Sequence, residues 1–336
     1  MHFSKNKIGI AQIGTKHGHA SSVLSTILNN PSVNFKGLYE PDLLRRKELK
    51  RSNIFPWNKI NFFEHESLLY SDDISAIASE GANVESLNQT LRILEKGKHV
   101  FYDKPAGDNF EIFKQCIDIA RKKNLHLQMG YMFRNHNGFR LLNEITKSGR
   151  IGNIFSIRAH MSTYIQEPMR KQISAHKGGI LFDLGGHMID QLVYLMGRPK
   201  LISSFIRKDI TKTPNFYDNC ISVYQFDNSI AIIDISSAEV QPAARRFEIY
   251  GTEGSLIMEP FEPAQTIRAI IPKEKPNEFF ITTKDYISSF GSNDTARYIE
   301  GFDNFIRVIS GESKPNRTLD HELLVQETLL RSVELL

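Results

Sequence analysis

From Lys7 to Tyr131 short apolar runs alternate with longer stretches patterned at helical spacing, and few folds accommodate that alternation. Lys7–Ile13, Val33–Tyr39, Ile60–Phe63, Asp73–Ser79, Lys98–Tyr102 and Leu125–Tyr131 have the near-continuous hydrophobicity of strands buried on both faces. Between them lie helical patterns. One carries Val23, Leu24, Ile27 and Leu28 on a single face, Glu66–Tyr70 is a short turn, and Val84–Lys96 points Leu87, Leu91 and Leu94 inward. The last buries Phe110, Phe113, Cys116, Ile117 and Ala120, and Asp108 to Glu111 before them read as a capping box. Strands joined by helices predict a doubly wound parallel sheet, and such sheets bind ligands at the carboxyl ends of their strands. Gly14, Glu40, Asn83 and Lys104 all fall on that edge.

The first strand runs into Gly14-Thr15-Lys16-His17-Gly18-His19 and then a helix. A strand, a glycine turn and a helix place a dinucleotide pyrophosphate on backbone N–H groups. Against the fingerprint G-x-G-x-x-G, Gln12 holds the first glycine position, Gly14 the second and His17 the third, with Gly18 one residue late. A glycine-containing turn with no ligand would carry the same pattern. His17-Gly18-His19 reads first as a turn and helix start, and second as polar contacts to cofactor or substrate. Glu40 ends the second strand, where an acid would hold an adenosine ribose 2′-hydroxyl and repel a 2′-phosphate. That favours NAD, with Arg45 and Arg46 keeping NADP open.

Beyond residue 150 the texture changes. Strand-like runs at Ile154–Met161, Ile202–Arg207, Cys220–Phe226, Ile230–Ser236, Arg246–Tyr250 and Ser255–Glu259 follow one another with few helices between, and helices are expected near 295–310 and 318–335. Within the stretch from Gly178 to Asp190, helical spacing puts Asp183 and His187 on one face, a turn apart. A carboxylate beside an imidazole is a general-base arrangement, although the same spacing also suits a helix start and a surface imidazole.

The bulk numbers exclude several classes. Forty-two basic and 38 acidic residues are mixed along the chain for a net charge of +4, which describes a solvated surface and not a nucleic-acid stripe. The clusters Arg45-Arg46-Lys47 and Arg121-Lys122-Lys123 are expected on solvated helix faces. Cys116 and Cys220 lie in apolar contexts without metal-site spacing, so reduced buried thiols are expected, with no metal. No run approaches 18 apolar residues and the N-terminus has no apolar leader core, so a cytoplasmic protein without membrane contact is expected.

Gly97-Lys-His-Val-Phe-Tyr-Asp-Lys-Pro105 resembles the G-K-H-V-x-x-E-K-P stretch of the glucose–fructose oxidoreductase/inositol dehydrogenase (Gfo/Idh/MocA) family. Arg134, Gly149-Arg-Ile-Gly152, the stretch from Gly179 to Gly197 (G-G-x-x-x-D-x-G-x-H-x-x-D in the family) and Phe247–Ser255 continue the likeness in order along the whole chain. The chain departs from the family at Asp103, for glutamate, at Gln12 and His17, for fingerprint glycines, and at Ser86 and Ala82, for histidine and proline.

The resemblance implies an N-terminal Rossmann domain, 1–125, and a C-terminal α+β domain, 126–336, with a large, mostly antiparallel sheet. It implies NAD(P)-dependent hydride transfer to or from a carbinol of a sugar, polyol or related hydroxy compound. Lys104, Asp183 and His187 map onto the family's catalytic trio, and the lysine–proline bond is often cis. Cofactor contacts fall to Gln12, Gly14, Thr15, His17, Gly18, Glu40, Asn83, Asp103 and Lys104. Substrate contacts are expected from Tyr131, Arg134, His176 and Asp190, with His136, Tyr164 and Arg170 as further candidates. Loops 162–178 and 259–290 are expected to set the substrate, and a homodimer or homotetramer is expected. A glycosidase that keeps NAD bound is the alternative on this scaffold, and a non-catalytic sugar sensor ranks last.

Overall fold

The computed structural model describes residues 7–262, 266–282 and 296–336. The chain divides into two compact units, Met1–Gly130 with Asn293–Leu323, and Tyr131–Ser292 with Leu324–Leu336.

In the first unit β1 (Ile8–Ile13), β2 (Val33–Tyr39), β3 (Ala76–Ser79), β4 (His99–Tyr102) and β5 (Leu127–Met129) form a parallel sheet in the order β2-β1-β3-β4-β5. β3 and β5 are buried along their whole length, as strands covered on both faces must be. The helices are α1 (Ala20–Asn29), α2 (Leu43–Arg51), α3 (Asn83–Glu95), α4 (Phe110–Lys122) and, from far along the chain, α8 (Ala296–Ile309). Phe302 and Phe305 of α8 pack edge-on against Phe101 of β4 at 5.5 and 5.6 Å, in a core shared with Ile10 and Val23. This is the doubly wound Rossmann architecture, and the Lys104–Pro105 peptide is cis.

Three local expectations change. Ile60–Phe63 is not a strand but a single parallel bridge, Phe62 to Leu38, closed by two hydrogen bonds on Leu38. The Phe63 ring there occupies the space a side chain at Gly37 would need. The helix expected from a capping box at Asp108 is instead capped by Asn109, whose side chain accepts from Ile112 N. Arg45 and Arg46 are not simply solvated. Arg46 is buried and donates to the carbonyls of Phe63 and Glu64.

The second unit holds an eight-stranded sheet in the order β13-β12-β11-β10-β6-β9-β8-β7. Its strands are β6 (Ile154–His160), β7 (Leu201–Arg207), β8 (Asn219–Gln225), β9 (Ile230–Ser236), β10 (Arg246–Gly251), β11 (Gly254–Met258), β12 (Thr266–Ile270) and β13 (Glu278–Thr282). Every pair is antiparallel except β6 with β9. β12 and β13 lie where a loop is expected from the sequence, and 263–265 and 283–290 of that stretch lie outside the described residues. Buried and exposed residues alternate along β8 and β9, so one face meets the core and the other solvent. The helices are α5 (Asn137–Lys147), α6 (Glu167–Ile173), α7 (Gly179–Met196) and the greater part of α9 (Leu319–Ser332).

On the solvent face of this sheet His160 sits between two acids. Its Nδ1 meets Asp234 across the parallel pairing, and Nε2 lies 2.9 Å from Glu239 Oε2. The hydrogen bond to Asp234 and the two negative charges raise the imidazole pKa above its ordinary value of 6.5. A raised folded pKa gives stability that is complete below the unfolded value and fades as pH climbs through the folded one. The melting-temperature advantage of the wild type over His160→Gln is therefore expected to be largest below pH 6.5 and to shrink on going alkaline. A difference that stays constant across that range would remove this account.

Candidate active site

The turn after β1 shapes the nucleotide edge. Gly14 has φ +81°, and a Cβ there would lie 2.5 Å from Gly81 N, so only glycine allows the turn to run against the end of β3. Gln12, in the first fingerprint position, is fully buried and spends its amide on the turn, donating to Gly14 O at 3.0 Å. The side chain of His19, the N-cap residue of α1, makes no capping hydrogen bond to that helix. Gly18 is exposed, and Asn83 opens α3 half-buried.

Glu40 is wholly buried at the end of β2. One carboxylate oxygen accepts the Thr15 hydroxyl at 2.6 Å and the other accepts Asp42 N at 2.9 Å. Arg45 closes the group by donating from Nε to Thr15 Oγ1 at 2.6 Å and from a terminal nitrogen to Thr15 O at 2.7 Å. The acid and the arginine flagged for the two cofactors thus share one threonine.

Between this turn and β4 four ionisable side chains converge. His19 Nδ1 lies 3.0 Å from Asp103 Oδ2, and His17 Nδ1 lies 3.3 Å from the same oxygen and 3.6 Å from Glu80 Oε2. Lys104 N donates to Asp103 Oδ1 at 2.7 Å, and the Lys104 side chain is buried. Burial, aided by the charge of Asp103, pushes the Glu80 carboxyl well above the ordinary carboxylate range. Burial would raise Asp103 too, but the facing imidazoles of His17 and His19 outweigh it and hold that carboxyl well below. The sequence reading passes over Glu80 and takes His19 only together with His17 and Gly18, as a turn and helix start or as a polar contact to cofactor or substrate. The signal for Glu80 is the one used for Glu40, an acid directly after a buried parallel strand.

In the second unit α7 carries Asp183 and His187 a turn apart, and it is hydrophobic nearly all round, as a helix enclosed by its own unit must be. Its start is tied down rather than loose. Gly179 has φ +51°, and a Cβ there would stand 2.2 Å from Tyr217 O. Asp183 is half-buried, and the buried ring of His187 meets Tyr131 and Phe133 edge-on at 5.8 and 5.3 Å. The Arg134 guanidinium lies 4.9 Å from the centre of the Tyr131 ring and donates twice to Asp190 Oδ1, at 2.7 and 3.0 Å. These contacts chain Asp190 to Arg134, Tyr131 and His187, so the pair flagged for substrate is spent at least partly within the fold.

His136 caps α5 through Nδ1, and burial lowers its pKa to about 3. His176 is buried and stacked on Phe182 at 4.8 Å. Tyr164 is exposed beneath Arg170. No helix among the described residues is long and apolar enough to cross a membrane.

The family model described as "Oxidoreductase family, NAD-binding Rossmann fold" matches residues 8–131, and the Gfo/Idh/MocA C-terminal domain matches residues 139–257. The oxidoreductase YrbE of Bacillus subtilis is 23% identical over 288 residues, which cover 82% of this chain and 80% of that protein. The 1,5-anhydro-D-fructose reductase of Ensifer adhaerens is 24% identical over 196 residues, 57% of this chain and 59% of the other. Among solved structures, GenD2 of gentamicin A biosynthesis, crystallised with NAD, has a TM-score of 0.79 at 17% identity, covering 99% of this chain and 95% of that one. The chain belongs to the Gfo/Idh/MocA family of oxidoreductases, and its NAD-binding Rossmann fold lies in the first unit.

Proposed function

We propose that this oxidoreductase transfers a hydride between NAD and a carbinol of a sugar, polyol or related hydroxy compound. The observation that carries the reading is Asp183 and His187 a turn apart on α7, with the histidine ring braced by Tyr131, in a chain that also retains Lys104.

The first unit fits the cofactor. The Gly14 turn leaves no room for a Cβ, and the following ten-residue helix has no side-chain cap, so its N-terminus suits a phosphate. Gln12, Gly14, Thr15, His17 and Gly18 would hold or shape that end, Glu40 and Asn83 the riboses, and Asp103 and Lys104 the nicotinamide side. NADP stays a second candidate through Arg45. When bound, the cofactor supplies the hydride acceptor.

This chain's residues supply the proton chemistry. An imidazole nitrogen of His187 takes the proton of the substrate hydroxyl, a task suited to a side chain that titrates near neutrality. The Asp183 carboxylate orients that hydroxyl and the imidazole. The Lys104 ammonium hydrogen-bonds the same oxygen and stabilises its developing negative charge. Tyr131 and His176 contact the substrate, while Arg134 and Asp190 hold Tyr131 in place. The named activity of the Ensifer adhaerens relative, a reductase of an anhydro sugar, supports a sugar-like substrate. Leu201, Phe205, Ile221 and Ile230 are exposed on the second unit's sheet and support pairing of like chains.

The test incubates the protein with NAD or NADP and a panel of sugars, inositols and glycosides. Growth of reduced-cofactor absorbance with a hydroxy compound is the expected result. Glycoside cleavage without net reduction would replace this reading with the redox-elimination chemistry. Silence across the panel in both directions would sink it.

A further inference from the structure

We propose that His17, His19, Glu80 and Asp103 form a binding site for one divalent transition-metal cation of zinc's class. His17 and His19 lie on the turn between β1 and α1, Glu80 directly follows β3, and Asp103 directly follows β4. A doubly wound sheet gathers such positions at its carboxyl edge, so the topology alone brings the four together.

The donor atoms have the spacing a metal imposes. The nitrogen and oxygen donors of His17, His19 and Asp103 all lie within 4.8 Å of one another. The closest separations are 3.0 Å between His19 Nδ1 and Asp103 Oδ2, 3.3 Å between His17 Nδ1 and Asp103 Oδ2, and 3.6 Å between His17 Nδ1 and Glu80 Oε2. Four ligands at zinc–nitrogen and zinc–oxygen distances of about 2.0–2.1 Å around a tetrahedron stand roughly 3.3 Å apart. The observed separations bracket that edge.

Hydrogen-bond bookkeeping points the same way. His17 Nε2 lies 3.1 Å from the carbonyl oxygen of Lys104, which can only accept, so Nε2 carries the hydrogen. In the neutral ring Nδ1 then carries the lone pair, which a metal would take over from the long 3.3 Å contact with His19 N. That lone pair faces two carboxylates, and three acceptors turned on one another call for a positive centre. The backbone bond on the far nitrogen is also how metal-bound histidines are held. Asp103 is braced likewise, since Lys104 N occupies Oδ1 and leaves Oδ2 for the histidines.

Glu80 is the independent observation. It is 0% exposed, and neither of its carboxylate oxygens has a hydrogen-bond partner. A buried carboxylate is retained when it is paired or coordinates a metal. A divalent cation at this point would offset the negative charge of Asp103 and that of an ionised Glu80. A mixed nitrogen and oxygen set without thiolate suits zinc, and also cobalt, nickel or manganese. The His19 side chain is 32% exposed, so a cation can reach the site from solvent past that ring. Once bound, it ties the turn before α1 to the ends of β3 and β4 and stabilises the folded chain by mass action.

The test uses the full chain without a histidine tag, stripped with a chelator, then titrated with zinc chloride by calorimetry and with cobalt chloride by visible spectroscopy. One zinc per chain, a raised melting temperature and the intense visible bands of four-coordinate cobalt are expected. His19→Ala and Glu80→Gln, checked for folding by circular dichroism, should each weaken zinc binding by about 10-fold or more. No zinc uptake by the stripped wild type overturns the site, as does equal affinity in both variants. The weak spectrum of six-coordinate cobalt on the wild type overturns the coordination without recourse to any variant.

Discussion

Alanine in place of His187 is expected to lower turnover about 10²–10⁴-fold, the usual worth of a positioned general base. Lys104→Ala is expected to cost roughly 10²–10³-fold, as loss of one charge-stabilising donor at a developing oxyanion does. Both losses belong in kcat and not mainly in KM, because each interaction strengthens as the hydroxyl gives up its proton. The two side chains differ in pH behaviour. Removing the imidazole should flatten the acid limb of the rate profile, and replacing the lysine should leave that limb in place. Steady-state kinetics with the best substrate of the panel, from about pH 5 to pH 10, reads both effects. A His187→Ala enzyme that keeps a tenth or more of wild-type turnover would remove the histidine from the chemistry.

The second large effect is on stability. Asp190 and Arg134 form an ion pair whose side chains are 0% and 2% exposed, and Gln191 Nε2 adds a bond to the other oxygen of Asp190 at 3.3 Å. Cutting one partner from such a pair leaves a buried charge without its counterpart, which costs about 3–5 kcal/mol. Asp190→Ala is therefore expected to lower the free energy of unfolding by that amount. The double replacement Arg134→Met with Asp190→Leu should recover most of it, because two apolar groups of similar size leave nothing stranded. Urea denaturation of the wild type and these two variants reads both effects. A single-variant loss below about 1 kcal/mol would mean that solvent reaches the pair.

The sequence is most legible where one physical rule acts alone. The buried strands of the first unit, the glycine at position 14 and the helix under Asp183 and His187 each follow from a local pattern, and each appears where that pattern points. The misses have different causes, one a packing contact of the Phe63 ring and another the local composition of a stretch. Ile60–Phe63 has strand composition, yet its pairing stops at one bridge where the Phe63 ring packs over Gly37. β12 and β13 were hidden because the stretch 259–290 carries charges and prolines at its turns.

At the candidate site, residue type shows what chemistry is available and not how it is spent. Arg134, Asp190 and His136 all have the donors and acceptors a hydroxyl-rich ligand wants, and the fold uses each of them in an ion pair or a helix cap. Glu80 shows the converse. An acid directly after a buried strand marks Glu80 as a sheet-edge residue, but its complete burial with neither oxygen hydrogen-bonded appears only in the fold.

The return of α8 to the first unit bears on how the protein is made. Phe302 and Phe305 complete the core around Ile10, Val23 and Phe101, about 170 residues after the last strand of that sheet. A ribosome that has finished the five parallel strands and their first four helices has therefore not yet made the residues that cover one of their faces. The Rossmann unit is completed only after the strands of the second unit have been made, and during that interval the apolar face that α8 will cover lacks its partner.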